Sequence, residues 1–232
     1  PASDGRVVDV IDPATEQAVD TIPVATPGDV DAALRSAEAG FAAWRRVDAW
    51  SRARVLRRIS ELLRERLEPM AATLTEEMGK TLGEARGELQ ATADQFEWYG
   101  EEAKRIYGRV VDGHSREQRL LVLRQPIGPV AAFSPWNFPA LLAGRKLAPA
   151  IAAGCSVVLK PAREAPRTAL QLALACHDAG LPPGVVNVIT GEAGAISEQL
   201  CRSPIIRKVT LTGSLEVGRR LMALCAEGVK PL

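Results

Sequence analysis

Four short apolar runs in the second half of the chain constrain the fold most. They are Val130–Phe133, Ser156–Leu159, Val185–Ile189 and Lys208–Leu211. Helix-length segments alternate with them at Ala140–Ala152, Arg167–Ala179, Ala193–Cys201 and Leu215–Ala226. The runs are continuous rather than alternating, the pattern of strands buried on both faces of a parallel sheet. Four βα repeats with short connections predict an open, doubly wound α/β sheet of Rossmann-like form. Such a sheet binds ligands beyond the carboxyl ends of its strands. Residues just after each run are therefore the place to look for chemistry.

The first half reads differently. Residues 7–24, VVDVIDPATEQAVDTIPV, give two short strands around an Asp12-Pro13 turn. Thr26, Pro27 and Asp29 then form a capping-box start. Val30, Ala33, Leu34, Ala37, Phe41 and Trp44 follow on one helical face. Ser51 is expected to open a second helix, with Val55, Ile59, Leu62, Leu63 and Leu67 as its stripe and a break or kink at Pro69. Thr81 and Glu84 open a third, carrying Leu89, Ala93, Phe96 and Tyr99 toward Ile106. The arginines on these helices read as a solvated face. Arg109–Gly113 and Arg119–Gln125 read as extended segments around a polar turn. Alone such a ribbon is marginal, so it is expected to project and pair with another subunit. The expected organisation is residues 1–108 as a helical N-terminal part, 109–125 as an arm and 126–232 as the βα repeats.

Charge and cysteine usage exclude several classes. Lys and Arg number 29 against 28 Asp and Glu, a net charge of +1, so no field recruits nucleic acid or an anionic membrane. Apolar runs such as Leu147–Ala153 are too short to span a bilayer. The opening PASDGRVVDV has no basic head or apolar core, and no signal peptide is expected. Cys155, Cys176, Cys201 and Cys225 have no CxxC spacing, and His114 and His177 are the only histidines. A reducing cytoplasm without a metal site is the expectation.

No GxGxxG follows any strand. Gly191-x-x-Gly194 follows the third run and Gly213-x-x-x-x-Gly218 the fourth, while Lys160 ends the second. Helix N-termini at such turns favour anions. Three of four strand ends thus carry groups compatible with a dinucleotide.

PWNFP at 135–139, AAGCSVVLKPA at 152–162 and GSLEVG at 213–218 together resemble the aldehyde dehydrogenase superfamily. RKLAPAIAAGC is most similar to its succinate-semialdehyde dehydrogenase subgroup. The resemblance implies an NAD(P) site. Lys160 and the neighbourhood of Arg163 would meet the adenosine ribose, Gly213 and Ser214 the pyrophosphate, and Val217 the adenine. Gly191 would line the same groove, with Ser134 and Trp136 flanking the coenzyme. Arg163 stands where glutamate is frequent in the family. Arginine cannot accept from ribose hydroxyls but pairs with a 2′-phosphate, so NADP is expected over NAD. The resemblance gives Asn137 a catalytic role, donating to the oxyanion formed as a thiolate adds to the aldehyde. It gives Arg145, eight residues on in an apolar stretch, the far carboxylate of the substrate. A charge in such a stretch is costly unless paired.

The family reaction also needs a cysteine nucleophile and a water-activating glutamate, both expected beyond Leu232. Cys155, inside AAGCSVV, reads as a small buried hydrophobe instead. The expectation is an enzyme oxidising succinate semialdehyde or a similar ω-carboxylated aldehyde, a homodimer or homotetramer at full length. The 232 residues alone are expected to be inactive, and to aggregate through an exposed sheet edge and unpaired arm. The alternative is a stand-alone nucleotide-binding or interaction module.

Overall fold

The computed structural model describes residues 2–232. Strands β1 (Val7–Ile11) and β2 (Ala18–Pro23) form the expected antiparallel hairpin. In its turn the Asp12 carboxylate accepts from the Ala14 N–H at 2.7 Å, a local bond that short polar side chains favour. Helices α1 (Pro27–Trp44), α2 (Ala49–Glu65), α3 (Leu67–Met78) and α4 (Leu82–Ala103) follow.

Capping chemistry explains where these helices begin. The boxes at Thr26/Asp29 and Thr81/Glu84 both close as expected. The start of α2 differs. Asp48 is the N-cap, and its carboxylate accepts from the Ser51 N–H at 2.9 Å and the Ser51 hydroxyl at 2.7 Å. Ser51 therefore sits in the first turn. The break expected at Pro69 also falls earlier, at Arg66, which leaves Pro69 in the first turn of α3. There its missing N–H leaves no bond unmade.

Strands β3 (Arg109–Asp112) and β4 (Arg119–Val122) pair antiparallel as an isolated ribbon, and every residue in them is exposed. Its apolar members Val110, Val111, Leu120 and Leu121 contribute nothing to the core.

The βα repeats then alternate: β5 (Val130–Phe133), α5 (Pro139–Ala152), β6 (Val157–Lys160), α6 (Arg167–Asp178), β7 (Val186–Val188), α7 (Ala193–Arg202), β8 (Lys208–Leu211) and α8 (Leu215–Ala226). All four strands are parallel, in the order β7-β6-β5-β8. The chain winds outward from β5 to β7, then returns to place β8 on the other side of β5. Strand order reverses there, and ligand crevices form at such a switch point.

Successive β5 side chains face opposite sides, as the pleat requires. Val130 and Ala132 join a core built with α2 to α6, and Ala131 and Phe133 join one built with α1, α7 and α8. Trp44 locks the layers together, donating its indole N–H to Ile151 O at 2.9 Å. On the outer edge of β8 the Val209 N–H donates to Pro231 O at 2.9 Å. Among the described residues no helix is long and apolar enough to cross a membrane, and no cluster of His, Cys, Asp and Glu can hold a metal.

Two buried glutamates from the helical segment cap helices of the βα repeats. Glu77, on α3, accepts from the Arg167 N–H at 2.7 Å, the Thr168 N–H at 2.8 Å and the Thr168 hydroxyl. Glu88, on α4, accepts from the Ala140 and Leu141 N–H groups at 2.8 and 3.0 Å. Neither α5 nor α6 has a side-chain cap of its own. Burial raises the Glu77 carboxyl pKa, while the bonds from Thr168 and Arg167 pull it down. Glu77→Ala strands two backbone donors at the α6 N-terminus. It is expected to lower stability by about 3 kcal/mol, the scale of buried donors left unpaired beside a lost charged acceptor. Urea unfolding monitored by circular dichroism checks this, and a loss below about 0.5 kcal/mol contradicts the capping role.

Candidate functional site

Register brings the strand ends to one level. Phe133 pairs with Lys160 on one side and Leu211 on the other. Ser134, Pro161 and Thr212 therefore emerge side by side. The Ser134 N–H donates to Lys160 O at 3.3 Å and the Thr212 N–H to Phe133 O at 3.1 Å, extending the ladder into the turns. Above these ends lies an open groove of about 370 Å³. Ser134, Lys160, Arg163, Gly191, Gly213 and Val217 line it.

Ser214 sits beside this groove as the N-cap of α8, its hydroxyl accepting from the Val217 N–H at 3.3 Å. Trp136 does not line it. The indole is 53% exposed and faces a second groove of about 490 Å³, shared with Ile11, Glu77, Arg163 and Glu164. Arg163 and Glu164 thus stand where the two grooves meet. Arg163 is exposed and makes no ion pair among the described residues.

The groove's polar groups suit an anionic, hydroxyl-bearing ligand. Lys160 is buried and donates to Pro161 O at 3.0 Å, leaving donor capacity on its ammonium. Burial lowers its pKa, with Glu164 and Glu192 opposing. The Ser134 hydroxyl is buried without a hydrogen-bond partner among the described residues, an orphan that a bound ligand would satisfy. Helices α5 and α6 have N-termini occupied by Glu88 and Glu77. Those of α7 and α8, facing the groove, hold no carboxylate from another element. Helix N-termini of this kind favour an anion, and the N-cap residue of α7 is itself Glu192.

The two glycine sets have different physical origins. Gly191 adopts φ +132°, and a Cβ there would lie 2.9 Å from Ala25 N. It is required so that the turn after β7 can pack against residues 24–25. A Cβ on Gly194 would meet only the Arg220 guanidinium at 3.8 Å, ordinary contact, and Gly213 meets nothing closer than the Leu211 side chain at 3.2 Å.

Asn137 lies in the turn between β5 and α5, exposed, and its carboxamide makes no hydrogen bond among the described residues. The alternative use of this residue, bonding its own backbone in a Pro-flanked turn, is not observed. The Asn137 backbone carbonyl oxygen accepts from Lys80 Nζ at 3.1 Å. Lys80 also pairs with Glu88 and lies 4.3 Å from the Phe138 ring centroid.

The surroundings of Arg145 differ from the expectation. The apolar surroundings suggested a charge needing a buried partner, but its side chain is exposed and unpaired among the described residues. The buried charge on α5 is the next residue. Lys146 is 6% exposed and donates to the Thr212 hydroxyl at 2.7 Å, tying α5 to the end of β8. Burial, with Arg145 adjacent, lowers its pKa to about 8. Lys146, Lys80 and Glu88 were not singled out from the sequence. A signal existed: Glu88 falls three residues after Ala85 and four before Thr92 on the buried stripe of α4. Lys146 likewise follows Ala143 by three on the buried face of α5.

All four cysteines are buried. Burial pushes the Cys176 and Cys201 thiols up to about 12. Neither supplies a thiolate at neutral pH.

The architecture defines an open, doubly wound α/β protein with a groove at its switch point. The chain belongs to the aldehyde dehydrogenase family, whose profile matches residues 1–232. It is 45% identical over 229 residues to glutarate-semialdehyde dehydrogenase of Pseudomonas aeruginosa, covering 99% of this chain and 47% of that protein. It is 44% identical to the NADP(+) succinate-semialdehyde dehydrogenase of Escherichia coli, covering 99% and 48%. A crystal structure described as an E. coli NADP-dependent enzyme superposes with a TM-score of 0.97 at 44% identity, covering 99% of this chain and 48% of that one. The chain spans about half the length of the relatives it matches.

The depressed Lys146 pKa carries a stability signature. The folded state prefers the neutral amine, so this contribution is present above the unfolded value of 10.5 and is lost as pH falls through about 8. Raising the pH across that window is expected to stabilise the parent relative to Lys146→Met. Urea midpoints at pH 7.5 and 10 check it, and a constant difference between the two proteins contradicts it.

Proposed function

We propose that this chain forms the coenzyme-binding side of an NAD(P)-dependent dehydrogenase that oxidises an ω-carboxylated aldehyde, such as succinate or glutarate semialdehyde, to the acid. The observation that carries the reading is one groove at the switch point that gathers Ser134, Lys160, Arg163, Gly191, Gly213 and Val217. In support, the relatives named above are semialdehyde dehydrogenases.

The bound coenzyme supplies the hydride acceptor. The chain's residues bind and orient. Lys160 and the Ser134 hydroxyl meet ribose hydroxyls, and the N-terminus of α8 at Ser214 faces the pyrophosphate. Asn137 directs its unbonded carboxamide at the oxygen that gains charge as the aldehyde carbonyl is attacked. Arg145, exposed on the helix that follows, holds the distal carboxylate through its planar fork. The attacking thiolate and the base that activates water come from polypeptide outside residues 1–232. The exposed apolar ribbon of β3 and β4 pairs with another subunit in a homo-oligomer.

Arg163 selects NADP. At the junction of the two grooves, without a carboxylate partner, it meets a ribose 2′-phosphate by charge-assisted bonds. Arg163→Glu is expected to reverse the preference, weakening NADP roughly 10- to 100-fold, the equivalent of about 1.5–3 kcal/mol for a charged hydrogen bond. Competitive fluorescence titration of both coenzymes measures this. A parent that prefers NAD, and still does after the substitution, rejects the selection.

The substrate assignment is tested in the native-length protein. Arg145→Met should raise KM for ω-carboxylated aldehydes roughly 10-fold or more, the loss of one ionic grip, and leave neutral aldehydes unchanged. Equal losses on both classes reject the role. A native-length protein that binds NADP without oxidising any aldehyde favours a stand-alone binding module instead.

A further inference from the structure

We infer that Lys80 and Glu88 are positioning residues for the oxyanion donor, a buried ion pair that fixes the backbone at Asn137 and just after it. The inference rests on the proposed role of Asn137 and deepens it.

The two side chains converge on the turn that joins β5 to α5. Glu88 Oε1 accepts from the Ala140 and Leu141 N–H groups at 2.8 and 3.0 Å. Its other oxygen pairs with Lys80. Lys80 Nζ in turn donates to the Asn137 carbonyl at 3.1 Å and lies over the Phe138 ring at 4.3 Å. Residues 137, 138, 140 and 141 are therefore held by one ion pair from a separate part of the chain. Side-chain exposure is 8% for Lys80 and 1% for Glu88.

Stability alone is a poor account of this pair. Burying two charges requires stripping both of water, and the attraction between them recovers that loss only with good geometry and further hydrogen bonds. A Ser or Thr in place of Phe138, at the N-cap position, would satisfy the first turn of α5 more simply. The pair does something a local cap cannot: it fastens both Asn137 in the turn and the first residues of α5 to α4, Glu88 from within that helix and Lys80 from the residue before its N-cap Thr81. The Asn137 carboxamide makes no bond of its own among the described residues. Only the backbone from which it springs is held, by the Lys80 bond to the Asn137 main-chain carbonyl. A donor serves a developing oxyanion only if it is already aimed. Misplacement by about 1 Å can lower a rate roughly 100-fold.

A double-mutant cycle in the native-length protein tests the inference, reading the single-turnover rate of aldehyde oxidation, the coenzyme Kd and Tm. Lys80→Met is expected to slow the reaction about 100-fold, the lower end for loss of an oxyanion donor, with coenzyme Kd unchanged. Asn137→Ala should slow it comparably. The double variant should be no slower than Asn137→Ala, because Lys80 acts through Asn137. Multiplying losses overturn the inference, as does an unchanged rate in Lys80→Met. If Asn137→Ala alone has no effect, or the parent protein oxidises no aldehyde, the underlying reading fails instead. Should Lys80→Met not fold, Glu88→Gln carries the same cycle, keeping the volume and one acceptor oxygen. Full activity, or losses that multiply with Asn137→Ala, in that variant also overturns the inference.

Discussion

The structure depends on how four helix N-termini are filled. Each βα turn leaves backbone N–H groups unpaired and a partial positive charge at the start of its helix. In α5 and α6 the demand is met from inside, by Glu88 and Glu77 reaching across from α4 and α3. In α7 and α8 no carboxylate from another element arrives, and both helices open onto the groove. The same physics therefore does two jobs. It ties α3 and α4 to one layer of the sheet, and it leaves the other layer's N-termini without a carboxylate from another element among the described residues.

Sheet order gives this division its geometry. Because β8 returns beside β5, the turns after those strands diverge to opposite faces and leave a crevice between them. The turn after β5 carries Asn137 and is fixed by Lys80 and Glu88. The turn after β8 carries Gly213 and Ser214, and is tied to α5 through the Lys146–Thr212 bond. The turn after β5 thus bears the group assigned to the substrate carbonyl, and the turn after β8 the group assigned to the coenzyme phosphates. Their separation is held by buried polar contacts rather than by loops free to drift.

Much of the architecture was legible because it rests on local rules. Continuous apolar runs gave the parallel strands, and β5 and β8 fall at the expected residues. The capping boxes at Thr26 and Thr81 marked two helix starts correctly. Local rules misled where two caps competed: Asp48, three residues ahead of Ser51, takes the N-cap. At the site, residues in specific motifs could be placed, and six of the eight expected coenzyme contacts line one groove. What stayed hidden was the tertiary polar network. Glu77, Glu88, Lys80 and Lys146 look like ordinary surface charges in a row of letters. Their partners lie tens of residues away, 52 for Glu88 with Ala140 and 66 for Lys146 with Thr212. Arg145 shows the converse, since an apolar neighbourhood in sequence did not mean burial in space.

In the proposed function a dinucleotide occupies the groove on the α7 and α8 side while α5 and α6 stay closed to it. Hydrogen–deuterium exchange of the native-length protein with and without saturating NADP tests this most directly. New protection is expected at residues 134, 160–164, 191–194 and 212–217, with exchange at Ala140, Leu141, Arg167 and Thr168 unchanged. Protection at the α5 or α6 N-termini, or none across the groove at saturation, would contradict it.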